Sequence, residues 1–312
     1  MKLKRERVQL LALITLSAIL LTYIGYIVYL HTRIKVLQTQ NIEVMDHMRL
    51  LYELQKHVEF YNEDSNQGAI SKETNGDSYC SRETENFKIY AHSEEICASV
   101  AESIEATYEK IIEDLSYKVK PTKKIKIYIF KDKEEYRNKI RQPMWSVGRV
   151  IYNKNSFYSY EGVNLSGLIP HEITHLLLYN FMERQYEPVS MRWLTEGLAM
   201  YEESKIVQSS LVNILRGKTE LLKKGRQFSM QDLIMAEVLK TRNAELINLW
   251  YAQSFSMIEF MITRLGKEKF NEFCLNLKEY NDVEKALRNT YGDRFNTLDD
   301  FQNQWTSYIQ TQ

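Results

Sequence analysis

Apolar and polar positions divide the chain into four stretches of different character. Residues 8–30, VQLLALITLSAILLTYIGYIVYL, carry no charged side chain. About 20 apolar residues span the hydrocarbon core of a bilayer, so this run is long enough to cross one. It is longer than the apolar region of a cleaved signal peptide, and YLHTRIKV offers no A-x-A-like cleavage site. The pattern predicts an uncleaved transmembrane helix over 8–30 that contacts the lipid bilayer. The preceding tail, 1–7, carries Lys2, Lys4, Arg5 and Arg7, against Arg33 and Lys35 on the other side. Positive charge favours the cytoplasmic side. The expectation is a single-pass protein of the cell membrane, with a cytoplasmic N-terminus and an extracellular C-terminal bulk.

A seven-residue period follows. Ile27, Ile34, Asn41, Met48 and Gln55 share one heptad position, and Leu30, Leu37, Val44, Leu51 and Val58 share another. This is the seam of a coiled coil, and Asn at such a position fixes register in parallel dimers. Residues 31–61 therefore read as a helical stalk that could form a parallel homodimer. One amphipathic helix lying on the domain or the membrane surface fits the pattern as well. Residues 62–85 are polar, contain Gly68 and Gly76, and lose the period. They read as a linker, with the folded domain over 86–312.

Within that domain FKIYA (87–91) and KIKIYIF (124–130) read as strands, and residues 147–160 as two short strands around a turn at Asn153–Asn155. SEEICASVAESIEATYEKIIEDL (93–115) has helical spacing with Ser93 as its cap, and KDKEEYRNKI (131–140) also looks helical. After Asn164 nearly everything reads as helix. With only 11 Gly and 4 Pro, the expected class is α+β and mostly helical, with a small sheet. Lys+Arg and Asp+Glu balance at 41 each, which argues against a nucleic-acid partner. Cys80, Cys97 and Cys274 are an odd set with no CxxC pair. Cys80 and Cys97 are near enough in sequence to bridge, and the sequence leaves that open.

HEITH, 171–175, is where chemistry enters. In a helix, His171 and His175 lie one turn apart on one face and can hold one metal ion. Glu172 lies between them and can take the proton of a water. The helix continues as LLLYN and can be capped by Asn164 or Ser166. A catalytic zinc usually has three protein ligands and one open position. Glu196, in MRWLTEGLAMYEES, is the candidate third ligand. Glu203 lies two helical turns further along the same face, suited to orient a histidine; an exposed glutamate beside Glu202 fits that spacing equally. A donor for a substrate oxyanion is also needed. Tyr251 is the candidate, with Tyr201 behind it, although tyrosine is plentiful in this chain and the helix that carries Tyr251 reads as a core one. His31, His47, His57 and His92 receive no role.

HEITHLLL, WLTEGLAMYEE and YAQSFSMIEFMITRLGKEKF together resemble the peptidase MA-like domains of the gluzincin metallopeptidases, relatives of the aminopeptidase N group. The resemblance runs over roughly 86–310 and includes KIKIYIFKDKEEYR. It implies a zincin-like fold, a Zn2+ cofactor, His171, His175 and Glu196 as zinc ligands, Glu172 as general base, and a peptide or protein substrate. The W-x-x-E-G-x-A-x-Y-x-E pattern matches at Trp193, Glu196, Gly197, Ala199, Tyr201 and Glu203. The resemblance also implies an edge strand above the site, falling in VGRVIYNKNSFYSY, that binds peptide by strand addition. No G-A-M-E-N-like stretch is present, and the domain is small, so endopeptidase action is expected over aminopeptidase action. Two alternatives stand beside this reading. One is a catalytically inactive zincin-like binding or scaffold protein that dimerises through its stalk. The other is hydrolysis of a non-peptide amide.

Overall fold

The structure, a computed structural model, describes residues 79–115, 123–141, 146–183, 188–206, 210–235, 240–241 and 243–312. The anchor, the stalk and most of the linker expected from the sequence lie outside these residues. Among the described residues no helix is long and apolar enough to cross a membrane.

Five strands form one sheet: β1 (Cys80–Glu83), β2 (Phe87–Ala91), β3 (Ile125–Phe130), β4 (Gly148–Ile151) and β5 (Ser156–Tyr160), in the order β1-β2-β3-β5-β4. β2, β3 and β5 run parallel, and the two edges, β1 and β4, are antiparallel to their neighbours. β1 falls inside the stretch expected to be linker, so the folded domain begins earlier than Asn86. CSRE shows no apolar alternation because three of its four side chains are exposed; the backbone pairing with β2 makes it a strand. The strands at 87–91 and 125–130 and the hairpin at 148–160 fall where their alternation predicts. Asn155 takes the left-handed conformation (φ 49°) that closes this hairpin, a region that short polar side chains tolerate.

One face of the sheet carries Phe87, Ile89, Ala91, Ile125, Ile127, Ile129, Val150 and Phe157, all buried. Helices α1 (Glu94–Leu115) and α3 (Leu165–Met182) cover it. α1 starts because Ser93 Oγ accepts from Ile96 N at 3.2 Å. It buries Cys97, Val100, Ile104, Tyr108, Ile111 and Leu115 at helical spacing. On the opposite face Tyr90, Tyr128 and Tyr158 stack across three neighbouring strands with ring centroids 4.7 and 4.9 Å apart. The short α2 (Lys133–Ile140) packs there against Phe130 and Tyr160. Asp132 caps it, and Glu135 gathers Tyr79, His92 and Lys139 at its start.

The rest is helical: α4 (Arg192–Ile206), α5 (Ser210–Gly217), α6 (Thr219–Lys223), α7 (Met230–Met235), α8 (Ala244–Thr263), α9 (Lys267–Tyr280), α10 (Val283–Tyr291) and α11 (Leu298–Ile309). α4 forms the centre, packed more extensively than any other helix, on α8 along one side and on α3 along another. α3 and α8 are apolar nearly all round, as expected for helices enclosed by others, whereas α4 buries Arg192, Glu196, Glu202 and Glu203 among its apolar side chains. Gly197 sets the α4–α8 distance, because a Cβ there would stand 2.6 Å from the Ser254 carbonyl oxygen. The C-terminal helices close the core around Phe270, Phe273, Phe301 and Trp305, with Trp305 Nε1 donating to Ser256 Oγ at 3.1 Å.

Candidate metal centre

α3 delivers the first two ligand candidates. Asn164 sits at its N-cap position, but the side chain does not cap the helix. It accepts instead from Ser166 Oγ at 2.7 Å. Pro170 lies inside the helix, just before His171, and its lack of an N–H removes one bond to the carbonyl of Ser166. Thr174 Oγ1 donates to the Pro170 carbonyl at 2.8 Å, holding the turn that carries the motif. His171, Glu172 and His175 are all buried. The i, i+4 spacing brings the two Nε2 atoms to 3.3 Å from one another.

α4 delivers the third. Glu196 Oε2 lies 3.8 Å from His171 Nε2, and Glu196 Oε1 lies 3.9 Å from His175 Nε2. One donor atom from each of the three side chains falls within 4.8 Å of the others, and all three residues are buried. This donor set fits zinc. Tetrahedral ligands bonded at about 2.0–2.1 Å stand about 3.3–3.4 Å apart. The histidine pair already has that spacing, and the glutamate needs only a small side-chain adjustment. Two imidazoles and one carboxylate also leave a fourth position open, as catalytic zinc requires.

Glu203 lies beside His171. Its Oε2 lies 3.2 Å from His171 Nδ1. With the proton on Nδ1 and donated to Glu203, the Nε2 lone pair is left to face Glu196 and His175. Glu203 is fully buried, so it is no exposed helix glutamate, and neither is its neighbour Glu202. Glu202 lies on another side of α4, where Lys205 Nζ approaches it at 3.2 Å and Asp114 at 2.6 Å. Burial pushes the Glu202 carboxyl up to about 8, against the pull of Lys205. Sequence reasoning missed this buried carboxylate. The one signal was that polar residues are scarce along 193–201.

Glu172 meets the sheet at the edge strand β4. A Cβ placed on Gly148 of β4 would stand 3.5 Å from Glu172 Oε1. β4 lies at the edge of the sheet, within the stretch where the resemblance implied such a strand, and passes beside the carboxylate of the HEITH motif. Tyr251 lies on α8 and is buried, one turn before Ser254, the residue against which Gly197 packs. Its ring meets Trp250 edge-on at 5.1 Å, and Trp250 is fixed by its Nε1 bond to the Leu233 carbonyl. Tyr201 follows Glu196 by five residues, well round α4 from the ligand face. Lys205 Nζ lies 5.5 Å over its ring, and burial raises its phenol well above the usual range. The arrangement removes Tyr201 from the candidate site. His92, given no role from the sequence, belongs to the Glu135 cluster on the far face of the sheet.

A mostly helical domain with a small mixed sheet and a buried His-His-Glu cluster is the form expected of a zincin-like peptidase domain. A sequence model of the Peptidase MA superfamily matches residues 107–311, and the chain belongs to that superfamily. Its members are peptidases and generally zinc-dependent. No curated protein is a significant match to the chain.

Proposed function

We propose that this chain is a membrane-anchored, zinc-dependent metallopeptidase of the gluzincin type that cuts within peptide chains outside the cell membrane. The observation that carries the reading is the convergence of His171, His175 and Glu196 in one buried cluster, with Glu172 adjacent in sequence to the first. In the proposed mechanism His171, His175 and Glu196 hold the zinc, and Glu203 keeps His171 in the ligating tautomer. Bound zinc would supply Lewis acidity, polarising the scissile carbonyl and lowering the pKa of the attacking water towards about 7.

Glu172 accepts the proton of the water as its oxygen bonds to the carbonyl carbon. It then passes that proton to the nitrogen as the C–N bond breaks. Tyr251 donates its phenol O–H to the developing oxyanion. The substrate backbone lies along β4, whose outer edge has no partner strand within the described sheet. The run at 8–30 anchors the chain, and the stalk pairs two copies.

Two variants of the full chain test the reading. Wild-type protein should bind one zinc per chain, and His175→Ala should lose it. Glu172→Gln should keep the zinc and lose hydrolysis by a factor of roughly 10²–10⁴. A well-folded wild type that takes up no zinc would refute the mechanism. Undiminished hydrolysis or phenotype in Glu172→Gln would leave a binding role instead.

A further inference from the structure

Cys80 and Cys97 converge on one short stretch of backbone. Cys80 opens β1, the edge strand through which the described domain continues from everything before it in the chain. Its thiol donates to the carbonyls of Ala91 at 3.0 Å and Ser93 at 3.3 Å. Cys97 lies in the first turn of α1, where its N–H donates to the carbonyl of the same Ser93 at 3.0 Å. Its thiol points back to the Ile89 carbonyl at 3.7 Å. Both thiols are free in this structure. Both side chains pack on the helix-covered face of the sheet, Cys97 wholly buried and Cys80 half-buried against the same core.

From this convergence we propose that Cys80 and Cys97 form a site of disulfide cross-linking that staples the first strand of the domain to α1. Burial, and after it the Cys80 thiol, pushes the Cys97 thiol up to about 12. Cys80 is the more exposed of the pair, which makes it the entry point for a small-molecule disulfide oxidant. The Cys80 thiolate attacks the oxidant, forming a mixed disulfide and releasing one thiol. Cys97 Sγ then attacks Cys80 Sγ and releases the second thiol. The protein loses two electrons and two protons, and the oxidant gains them. Cys274 is fully buried on α9 and stands apart from this pair.

The staple has a mechanical reason. β1 is a short edge strand paired with one neighbouring strand, most of its side chains are exposed, and its side-chain tie to α1 is the exposed ion pair of Arg82 with Glu94. A domain tethered through such a strand is weakest where tension enters, since edge elements open locally at little cost. A cross-link from Cys80 to α1 carries that tension past β1 into the core. The benefit is greatest outside the cytoplasm, where disulfides persist. The site itself does not depend on zinc or on peptidase activity.

The test oxidises the full chain with oxidised glutathione, unfolds it in an alkylating reagent, and reads the intact mass and the proteolytic peptides. The expected result is loss of the mass of two hydrogens, one peptide pair joined through Cys80 and Cys97, and alkyl label on Cys274 alone. Cys80→Ser and Cys97→Ser should each abolish the cross-link. The oxidised wild type should melt roughly 5–10 °C above the reduced form, an effect both variants lack. Because Cys97→Ser alters a buried position, the mass readout on Cys80→Ser decides the matter alone if Cys97→Ser fails to fold. Alkyl label on all three cysteines would overturn the proposal. So would a glutathione adduct on Cys80 that never closes.

Discussion

Gly197→Ala tests how closely the candidate centre depends on helix packing. The added Cβ would meet the Ser254 carbonyl oxygen at 2.6 Å, and the Ser254 carbonyl carbon and Ile258 Cγ1 at 2.8 Å. Two of these atoms belong to the backbone of α8 and cannot rotate away. The 2.6 Å falls about 0.8 Å short of the 3.4 Å at which ordinary contact begins, so α4 must move away from α8 by most of that difference. Overpacking of this kind costs about 1–3 kcal/mol, a fall of roughly 3–10 °C in Tm. The displaced residue adjoins Glu196, so the movement passes directly to a ligand candidate. Zinc affinity should weaken about 10-fold or more, in the range seen when support of a ligand is disturbed. Gly217→Ala is the control, because a Cβ there meets nothing within 4 Å. Its Tm should be unchanged or slightly raised. Thermal unfolding of metal-free protein and a zinc titration with a competing chelator read the two effects separately. A Gly197→Ala protein with wild-type Tm and wild-type zinc affinity would refute the close-approach account of this glycine.

Three further perturbations are informative. Glu203→Gln keeps the shape but replaces a carboxylate acceptor at His171 Nδ1 with an amide, and zinc affinity measured by competition should drop about 10–100-fold. Gly148→Ala places a methyl 2.9 Å from Phe157, 3.2 Å from Leu168 and 3.5 Å from Glu172 Oε1; hydrolysis should fall by about 10-fold or more, while a metal assay finds zinc still bound. Glu202 has a folded-state pKa raised to about 8 from its ordinary 4.5, chiefly by burial. Between those values the folded state holds the extra proton, so stability is fully present below pH ~4.5 and is lost as pH rises through ~8. Tm followed across this range should decline in the wild type and decline less in Glu202→Gln; parallel profiles would dismiss Glu202 as the source.

The candidate site was more legible in the sequence than the frame around it. His171 and His175 could be placed on one helix face from spacing alone, because a helix fixes the relation of i to i+4. Glu196 was a candidate on a second predicted helix that the resemblance implied as a ligand, and Glu203 followed from its place two turns further along that helix. What spacing could not supply was burial. Glu202 and Glu203 are consecutive, and on paper a Glu-Glu pair at the end of a helix reads as solvated. Here α4 is buried through Glu203, so Glu203 faces His171 and Glu202 faces Lys205, one residue and about 100° round the helix apart. β1 was missed for a related reason. An edge strand with exposed side chains leaves no alternation to read, and its existence rests on backbone bonds to β2. Tyr201 and Tyr251 looked alike in sequence, two tyrosines in apolar helices. Helical position relative to Glu196 and the cation over its ring separate Tyr201 from the site.

The charges buried in the domain bear on why a dication suits this fold. Glu172, Glu196, Glu202 and Glu203 are fully buried, and Asp114 nearly so. Among the described residues Arg192 is the one buried cation, and half-exposed Lys205 reaches in to Asp114 and Glu202. Isolated carboxylates do not stay ionised in such surroundings; they find a partner or they take up a proton. Glu202 shows the second response in its raised pKa. Glu196 differs from it in facing two imidazoles whose nitrogens converge within a few ångströms, and Glu203 in facing one of them. A proton shared among these groups offsets one charge at most. A zinc ion offsets two, and it binds the neutral imidazoles that a proton would have to charge. In the proposed zinc site, the same enclosure that keeps water from the helices is the reason a dication would suit the His-His-Glu cluster.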